Sequence, residues 1–478
     1  MKRSYQSNQL PEINEIISEV EMSDYIHGDF ILRGQDPIIR SPHRLGYASA
    51  VAQGANSLLA GMIWHARTGH HLTASMPIES ALNYLHYSHY TKQNGFPMQV
   101  GAETVSVNSY FKCKDGRAIH TIAGPPYMKL LNGYLDFFDC GNSRKRIAEE
   151  VAKWNSFELE EALAKAGLPA CVARSKQEWL MHPVGKALNK RPLISIEHIH
   201  EGEAVPYSPQ PQEILDGIKV IDFTHVLAGP MLGQNLGRFG AETLHISSPK
   251  HPDTLAQNLI TGFCKRNAYL DLHDHEHLTK MKELMAEADV FINSYRPGIP
   301  DRFGLDAAQV ASMSPKGIIY VDISCYGHET LWSDRPGFET IGQACSGFSV
   351  AEGTFDDPKF SPVFYLNDPL TSFHALSGVL AALHKRALFG GSYHVKVSLA
   401  KTGMWVTDLG LLEDDKYKDC PKEDIHQPET KEIETVYGKI TRLAPCYQFN
   451  ELRLPEEKPV EPFGASTPNF EHVSDPMS

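Results

Sequence analysis

The segment "NDPLTSFHALSG", residues 367–378, places an acidic residue at the start of a helical pattern. Asp368 is followed by Pro369, and apolar residues then recur at the spacing of one helix face. This order predicts Asp368 as the N-cap and Pro369 as the first helical residue. Because a helix N-terminus stabilises negative charge, we expect the pKa of Asp368 to lie near or below its reference value of about 3.9. An ionised carboxylate can act as a nucleophile, so Asp368 is also a candidate catalytic group.

A second carboxyl group that could take part in chemistry is Glu339, in "DRPGFETIGQACSG". Two interpretations are open from the local pattern. Glu339 either belongs to a surface turn, or it lies beside the substrate as a second carboxylate.

The stretch "THVLAGPMLG" has the pattern of a strand, a Gly229-Pro230 turn and the start of a helix. Backbone N–H groups at such a helix start face outward and bind anions in many proteins. The stretch lacks the G-x-G-x-x-G fingerprint of dinucleotide sites, so an ordinary strand-to-helix turn is the alternative.

Basic residues gather beside other expected strands. Lys265 and Arg266 precede a short apolar strand, and Arg296 and Arg302 follow another strand together with Tyr295. Each one alone is typical of a solvated surface charge. Together, in an acidic chain, they indicate a site for phosphate groups with an aromatic face for a base.

Metal chemistry is not expected. His273, His275 and His277 recur at every second position in a polar segment, whereas helical metal pairs usually lie four residues apart. The eight cysteines are scattered without a C-x-x-C pair, which is typical of reduced, intracellular thiols.

The elements that would position these residues follow an α/β rhythm from about residue 215. The strand patterns "IKVIDF", "ETLHIS", "VFINSY" and "GIIYVDIS" alternate with helical ones. Such alternation predicts a Rossmann-like parallel sheet, whose ligands collect at the carboxyl ends of the strands. The turn, the basic cluster and Tyr295 all follow these strands.

The chain divides by pattern into three regions. Residues 1–210 contain a long helix, "YASAVAQGANSLLAGMIWHAR", and a strand–turn–strand, "SYFKCKDGRAIHTIAG", which predict helices with a small α+β domain. Residues 206–217 are Pro-rich and polar and form the expected linker. Residues 211–410 are the Rossmann-like region. Residues 411–478 are expected to form a polar C-terminal tail on the surface.

Composition excludes several classes of protein. The net charge of −13 argues against a nucleic-acid binder, which would carry a basic face. No apolar run approaches the roughly 18 residues of a membrane span, and the N-terminus has no secretory pattern. We therefore expect a cytoplasmic protein that does not bind nucleic acid or a membrane.

Four segments follow one another along the chain: "GIKVIDFTHVLAGPMLGQNLGRFGAETLHISSP", "ADVFINSYRPGIPDRFGL", "GFETIGQACSG" and "NDPLTSFHALSGVLAAL". In this order they resemble the family III CoA-transferases, the CaiB/BaiF family. The resemblance covers about residues 215–405. Residues 40–200 are similar to the portion that normally follows the nucleotide-binding half. The chain therefore resembles the longer members with two family regions, in swapped order.

The resemblance implies an acyl-CoA transferase that moves CoA from an acyl-CoA donor to a carboxylic acid acceptor, without a metal. Asp368 matches the family's nucleophile, which would form an aspartyl-CoA thioester, and Glu339 matches a supporting Glu. The positions that match CoA contacts are Val226, Leu227, Ala228 and Pro230 in the turn, and Lys265, Ser294, Tyr295 and Arg302 around the nucleotide and phosphates.

Two alternatives stay open. The 2-methylacyl-CoA racemases resemble the same fold, but Phe338 stands where they carry a proton-transferring His, which favours transfer. A CoA-binding protein without activity is the other alternative. It is suggested by Ser372 in place of the usual Gly, by His225 where relatives carry Arg, and by "QVGAETVSVNSYF" in place of a glycine-rich loop. Relatives are interlocked homodimers, so a homodimer is also possible.

Overall fold

The computed structural model describes residues 3–98, 106–124, 127–363, 365–413, 415–422 and 428–470. The helices are α1 (Pro11–Glu19), α2 (Leu45–Thr68), α3 (Ile78–Leu85), α4 (Tyr87–Tyr90), α5 (Met128–Phe138), α6 (Arg144–Val151), α7 (Ser156–Lys165), α8 (Lys176–Met181), α9 (Pro183–Asn189), α10 (Ala228–Arg238), α11 (Leu255–Thr261), α12 (His275–Glu287), α13 (Ala307–Met313), α14 (Glu339–Cys345), α15 (Phe348–Glu352), α16 (Asn367–Phe389) and α17 (Leu399–Asp408).

The strands are β1 (Ser4–Gln6), β2 (Gly28–Arg33), β3 (Leu72–Pro77), β4 (Lys92–Gln93), β5 (Phe96–Pro97), β6 (Ser109–Lys112), β7 (Ala118–Thr121), β8 (Ala170–Val172), β9 (Ser195–His200), β10 (Lys219–Phe223), β11 (Glu242–Ser247), β12 (Arg266–Tyr269), β13 (Val290–Asn293), β14 (Ile319–Ser324), β15 (Ser392–Ser398), β16 (Thr430–Thr435), β17 (Gly438–Leu443) and β18 (Gln448–Phe449).

A seven-stranded sheet in the order β12-β11-β10-β13-β14-β15-β9 organises the molecule. The strands from β10 to β15 run parallel, and β9 is an antiparallel edge strand. Counted from β10, the order is 3-2-1-4-5-6, the doubly wound arrangement of Rossmann-like domains. The α/β fold predicted from the sequence is therefore confirmed.

Consecutive strand residues point to opposite faces, so each strand feeds two cores. Val220 of β10 packs in the core that holds α10 and α16, whereas Ile221 packs with Met281 and Leu284 of α12 on the other face. Both faces of the sheet are covered by helices, which is why these strands read as nearly continuous apolar runs.

The first 90 residues pack on the helical layer formed by α10 and α16. Helix α2 lies along α16, and its buried residues belong to the same core. A small sheet, β1-β2-β3-β18, lies beyond α2. Gly54 allows α2 to pack closely against α1 and β2, because a Cβ there would lie 2.7 to 2.8 Å from Ile13 and Phe30.

A separate core forms around the three-stranded sheet β6-β7-β8. Helices α5, α6 and α7 cover this sheet and contribute the apolar residues of its core. It is the small α+β unit that the strand–turn–strand pattern predicts, with β6 and β7 pairing antiparallel.

The C-terminal segment returns to the body of the protein. Strands β16 and β17 form a hairpin, β17 pairs with β4, and β18 pairs with β3. Val460 and Phe470 are buried. Of the expected polar tail, residues 414, 423–427 and 471–478 lie outside the described residues. None of the described helices has both the length and the apolar character needed to cross a membrane.

Candidate active site

A cavity of about 420 Å³ opens at the carboxyl ends of β10, β13 and β14. The order of the strands reverses between β10 and β13, and ligands of doubly wound sheets bind at such a switch point. Val226 to Gly229, Ser294 to Pro297, Glu339 and Asp368 all line this cavity. The cavity therefore joins the predicted CoA-binding turns to the two predicted carboxyl groups.

Asp368 is buried, with 6% of its surface exposed, and it lies in the first turn of α16. The prediction that it caps this helix is wrong. The N-cap is Leu366, whose backbone is already helical, and no side chain caps the helix. Pro369 is then the third helical residue rather than the first. The helix begins earlier than the Asp-Pro signal indicates, which frees the carboxylate from a capping bond and lets it face the cavity.

Burial raises the pKa of Asp368 to about 7. The expectation of a pKa near or below 3.9 is therefore wrong as well. Loss of hydration disfavours the charged carboxylate, and this cost outweighs the attraction of the helix N-terminus. At neutral pH the group is poised between its two protonation states.

Glu339 is the first residue of α14 and is also buried. Its Oε1 accepts hydrogen bonds from Gln343 Nε2 at 2.7 Å and from the Asn367 backbone N–H at 2.8 Å. Its Oε2 has no hydrogen-bond partner among the described residues. Burial, and then the charge of Asp368, raise the pKa of Glu339 well above its usual range. The two carboxyl groups are thus electrostatic neighbours.

The turn after β10 has a strained backbone. Val226 has φ of +70°, a left-handed conformation that β-branched residues rarely adopt, and its N–H donates to Asp253 Oδ2 at 2.9 Å. The N-cap of α10 is Leu227, and no side chain satisfies the first N–H groups of that helix. These N–H groups, starting at Ala228, form the type of helix start that binds anions.

Ser294 and Tyr295 hold the other side of this turn. Ser294 Oγ accepts from the His225 N–H at 3.0 Å, and the Tyr295 ring lies on the His225 ring with centroids 4.5 Å apart. The hydroxyl of Tyr127, from α5's start, hydrogen bonds the Nδ1 of His225. The small α+β unit thereby contacts the Rossmann turn directly.

Three predicted CoA contacts, Pro230, Lys265 and Arg302, do not line the cavity. Lys265 is buried, and its ammonium donates to Asp222 Oδ2 at 2.8 Å and to the Pro230 carbonyl at 2.9 Å. Burial raises the pKa of Asp222, but Lys265 and His245 lower it by more, so it ends well below its usual range. Arg302 lies exposed in a short 3-10 turn, Pro300–Phe303.

Several cavity residues carry no signal in the sequence pattern. Asn108, His120 and Ile122 come from the small unit, and Phe360 and Arg335 come from loops. Except for Phe360, these residues are too far from Asp368 along the chain for hydrophobic periodicity to link them to it. Phe338, which the racemase comparison singles out, also lines the cavity. Residues 99–105, the first part of the segment "QVGAETVSVNSYF" that stands in place of a glycine-rich loop, lie outside the described residues.

Metal ligands were not expected, and no group of three or more His, Cys, Asp or Glu side chains in the described ranges is arranged to hold a metal ion. His275 begins α12, and His277 Nδ1 accepts a hydrogen bond from the Asp271 N–H at 3.1 Å.

Residues 215–437 match the family "CoA-transferase family III". An acyl-CoA transferase of Gibberella moniliformis (strain M3125 / FGSC 7600) is 33% identical over 276 residues, which are 55% of this chain and 48% of that protein. The acetyl-coenzyme A transferase nodX of Hypoxylon pulicicidum is 29% identical over 66% of this chain and 56% of that protein.

An acetyl-CoA:oxalate CoA-transferase of Acetobacter aceti is 32% identical over 40% of this chain and 52% of that protein. The chain thus spans about half the length of these curated relatives.

Proposed function

We propose that this chain, whose residues 215–437 match CoA-transferase family III, is an acyl-CoA transferase. It moves CoA from an acyl-CoA donor to a carboxylic acid acceptor, with Asp368 as the nucleophile. The observation that carries the proposal is a buried carboxyl group of pKa about 7 that faces a cavity at the switch point of a Rossmann-like sheet.

The two carboxyl groups divide their roles by protonation. The pKa of Glu339 is raised by burial and by the charge of Asp368, so Glu339 keeps its proton where Asp368 ionises. While Asp368 ionises, neutral Glu339 exerts no charge repulsion on it, so burial is what raises the pKa of Asp368. Oε1 of Glu339 accepts two hydrogen bonds, so the proton belongs on Oε2. Neutral Glu339 is then a hydrogen-bond donor beside an ionised Asp368.

The reaction begins when the Asp368 carboxylate attacks the thioester carbonyl of the donor. The C–S bond breaks, CoA leaves as a thiolate, and a mixed anhydride joins Asp368 to the acyl group. The thiolate then attacks the Asp368 carbonyl of the anhydride, which releases the donor carboxylate and leaves an aspartyl-CoA thioester. The Glu339 Oε2–H would stabilise oxyanions formed in both steps.

The acceptor carboxylate reverses this sequence. It attacks the aspartyl-CoA carbonyl, CoA leaves as a thiolate, and a second mixed anhydride forms. The thiolate attacks the acceptor carbonyl and regenerates the Asp368 carboxylate. Activation passes between two acyl derivatives of similar energy, so no nucleotide triphosphate is consumed.

CoA would lie along the turn from Val226 to Ala228, with the phosphates near the start of α10. Ser294 and Tyr295 would flank it on the other side. Lys265 would act indirectly, because its ammonium fixes the Pro230 carbonyl and so the start of α10. The exposed Arg302 would reach the phosphates from the surface. The cytoplasmic location and the homodimer stay predictions from the sequence.

The test is to trap the acyl-enzyme. The protein is incubated with a panel of acyl-CoAs and hydroxylamine, and the modified residue is identified by peptide mass spectrometry. We expect a hydroxamate at Asp368, and a rate of trapping that falls about tenfold per pH unit below pH 7, because only the ionised carboxylate attacks.

Asp368→Asn should abolish both trapping and CoA transfer, whereas the exposed Asp356→Asn should retain both. Full transfer activity in Asp368→Asn would overturn the proposal. Deuterium exchange at the acyl Cα without CoA transfer would identify a racemase instead. CoA binding without either reaction would indicate a binding protein.

A further inference from the structure

The cavity beside Asp368 has a fixed apolar and aromatic wall. Ile122 comes from the end of β7, Phe338 precedes α14, and Phe360 lies between α15 and α16. The Phe360 ring stacks on Tyr110 with centroids 4.9 Å apart and meets the His120 ring edge-on at the same distance. Rings held from two sides form a rigid surface that an apolar group can bury.

Cations are scarce around this wall. Among the described residues that line the cavity, the Lys and Arg side chains are Arg296 and Arg335 alone. Arg335 Nη2 donates to both carboxylate oxygens of Glu161 at 2.7 Å, so this guanidinium is already paired with a carboxylate of the protein. Arg296 follows Tyr295 at the end of β13, on the side proposed for CoA, and donates to the Asp334 carbonyl.

The sequence contains no Lys or Arg within residues 99–105, 125–126 or at 364, the undescribed positions flanking the described cavity-lining segments.

His120 does not supply a positive charge. Its Nδ1 lies 3.1 Å from the Ser109 carbonyl oxygen, and its Nε2 lies 2.7 Å from Thr340 Oγ1. Burial lowers the pKa of His120 to about 4, so the ring is neutral at physiological pH. Asp368 and Glu339 add only carboxyl groups. A second carboxylate on a substrate would be desolvated without a counter-charge and would repel ionised Asp368.

We propose that the acyl chain this site accepts is an uncharged, apolar monocarboxylic acyl group, and that the site rejects chains with a second carboxylate. The inference rests on the proposed function and names its substrate class. The cavity volume of about 420 Å³ suits an acyl chain of medium size together with the thiol end of CoA.

The test uses two donors of the same shape and different charge. 4-Methylpentanoyl-CoA and succinyl-CoA differ by an isopropyl group in place of a carboxylate. We expect acyl transfer to Asp368 to be at least about 100-fold more efficient, in kcat/KM, with the uncharged donor. The unreactive thioether analogues of both donors are compared in parallel by calorimetry, which measures selectivity without chemistry.

Phe360→Arg places a cation in the wall. It should reduce the ratio of the two kcat/KM values, uncharged donor over succinyl-CoA, at least about tenfold. Phe389→Arg makes the same change at the exposed end of α16 and should leave the preference unchanged. The comparison of the two donors on the natural protein stands even if Phe360→Arg does not fold.

The outcomes separate the two proposals. Equal or better use of succinyl-CoA overturns the substrate class and leaves the transferase in place. Failure of both donors to label Asp368, with the apolar analogue still bound more tightly, overturns the transferase and leaves the selectivity. Failure of both analogues to bind overturns both.

Discussion

At the scale of the residue, burial of Asp368 decides its chemistry. The local sequence predicts a carboxylate that caps a helix and ionises easily. In the tertiary structure Asp368 does not cap the helix, and its carboxyl group is buried from water. The same desolvation that raises the pKa of Asp368 to about 7 makes the carboxylate a stronger nucleophile once it ionises. Glu339 completes the arrangement by holding a proton beside it.

Asp368→Asn should stabilise the protein, and more so at higher pH. In the unfolded chain Asp368 ionises near pH 3.9, whereas in the folded protein it ionises near pH 7, so wild-type stability falls as pH rises between these values. Asn does not ionise. The stability advantage of the variant should therefore grow by about 3 kcal/mol between pH 5 and pH 8, as measured by urea unfolding.

Exposed Asp356→Asn should show no such trend. A difference between Asp368→Asn and the natural protein that does not vary with pH would contradict the assigned burial. The result does not depend on any substrate, so it tests the environment of Asp368 separately from its proposed role as nucleophile.

At the scale of the element, α10 is packed closely against β10. A Cβ at Gly233 of α10 would lie 2.5 Å from Asp222 Oδ2 and 2.8 Å from its Cγ. Asp222 cannot move easily, because Lys265 and His245 contact its carboxylate at 2.8 and 3.1 Å. Only glycine therefore allows α10 to lie this close to the strand.

Gly233→Ala should destabilise the protein by about 1–3 kcal/mol, because the methyl group overpacks this contact. It should also weaken CoA binding, since the displaced α10 carries the turn proposed to hold CoA. Gly141→Ala is the matched control, because a Cβ there has no neighbour within 4 Å. Equal urea midpoints for Gly233→Ala and Gly141→Ala would refute the close approach.

At the scale of the whole molecule, one carboxylate ties the C-terminal segment to the Rossmann-like region. Glu457 contacts Arg238 of α10 at 2.7 Å, Lys431 of β16 at 2.8 Å and Arg442 of β17 at 3.5 Å. Burial raises the pKa of Glu457, but these three cations lower it by more, to well below its usual range. We call these contacts of Glu457 with Arg238, Lys431 and Arg442 the clasp. It attaches the C-terminal segment to α10, whose start forms part of the cavity.

Glu457→Gln should cost about 3–5 kcal/mol, because it leaves the partly buried Arg238 and the buried Arg442 without a carboxylate. Glu456→Gln removes the neighbouring charge from an exposed pair with Arg453 and should cost less than about 1 kcal/mol. Urea unfolding of both variants makes the comparison. Comparable losses in the two would show that the clasp does not stabilise the molecule.

The sequence by itself predicted the βα order, the parallel sheet and a small α+β unit, and it singled out Asp368 and Glu339 as candidate catalytic carboxyl groups. These depend on periodicity, turn chemistry and residue type, which are local. Only the tertiary structure decided that Lys265 forms an ion pair with Asp222 and that Asp368 is buried from solvent. It also decided that residues such as His120 and Ile122 line the same cavity as Asp368. Lys265 and Asp222 are 43 residues apart along the chain, and His120 and Ile122 are more than 200 residues from Asp368, so no local pattern encodes these contacts.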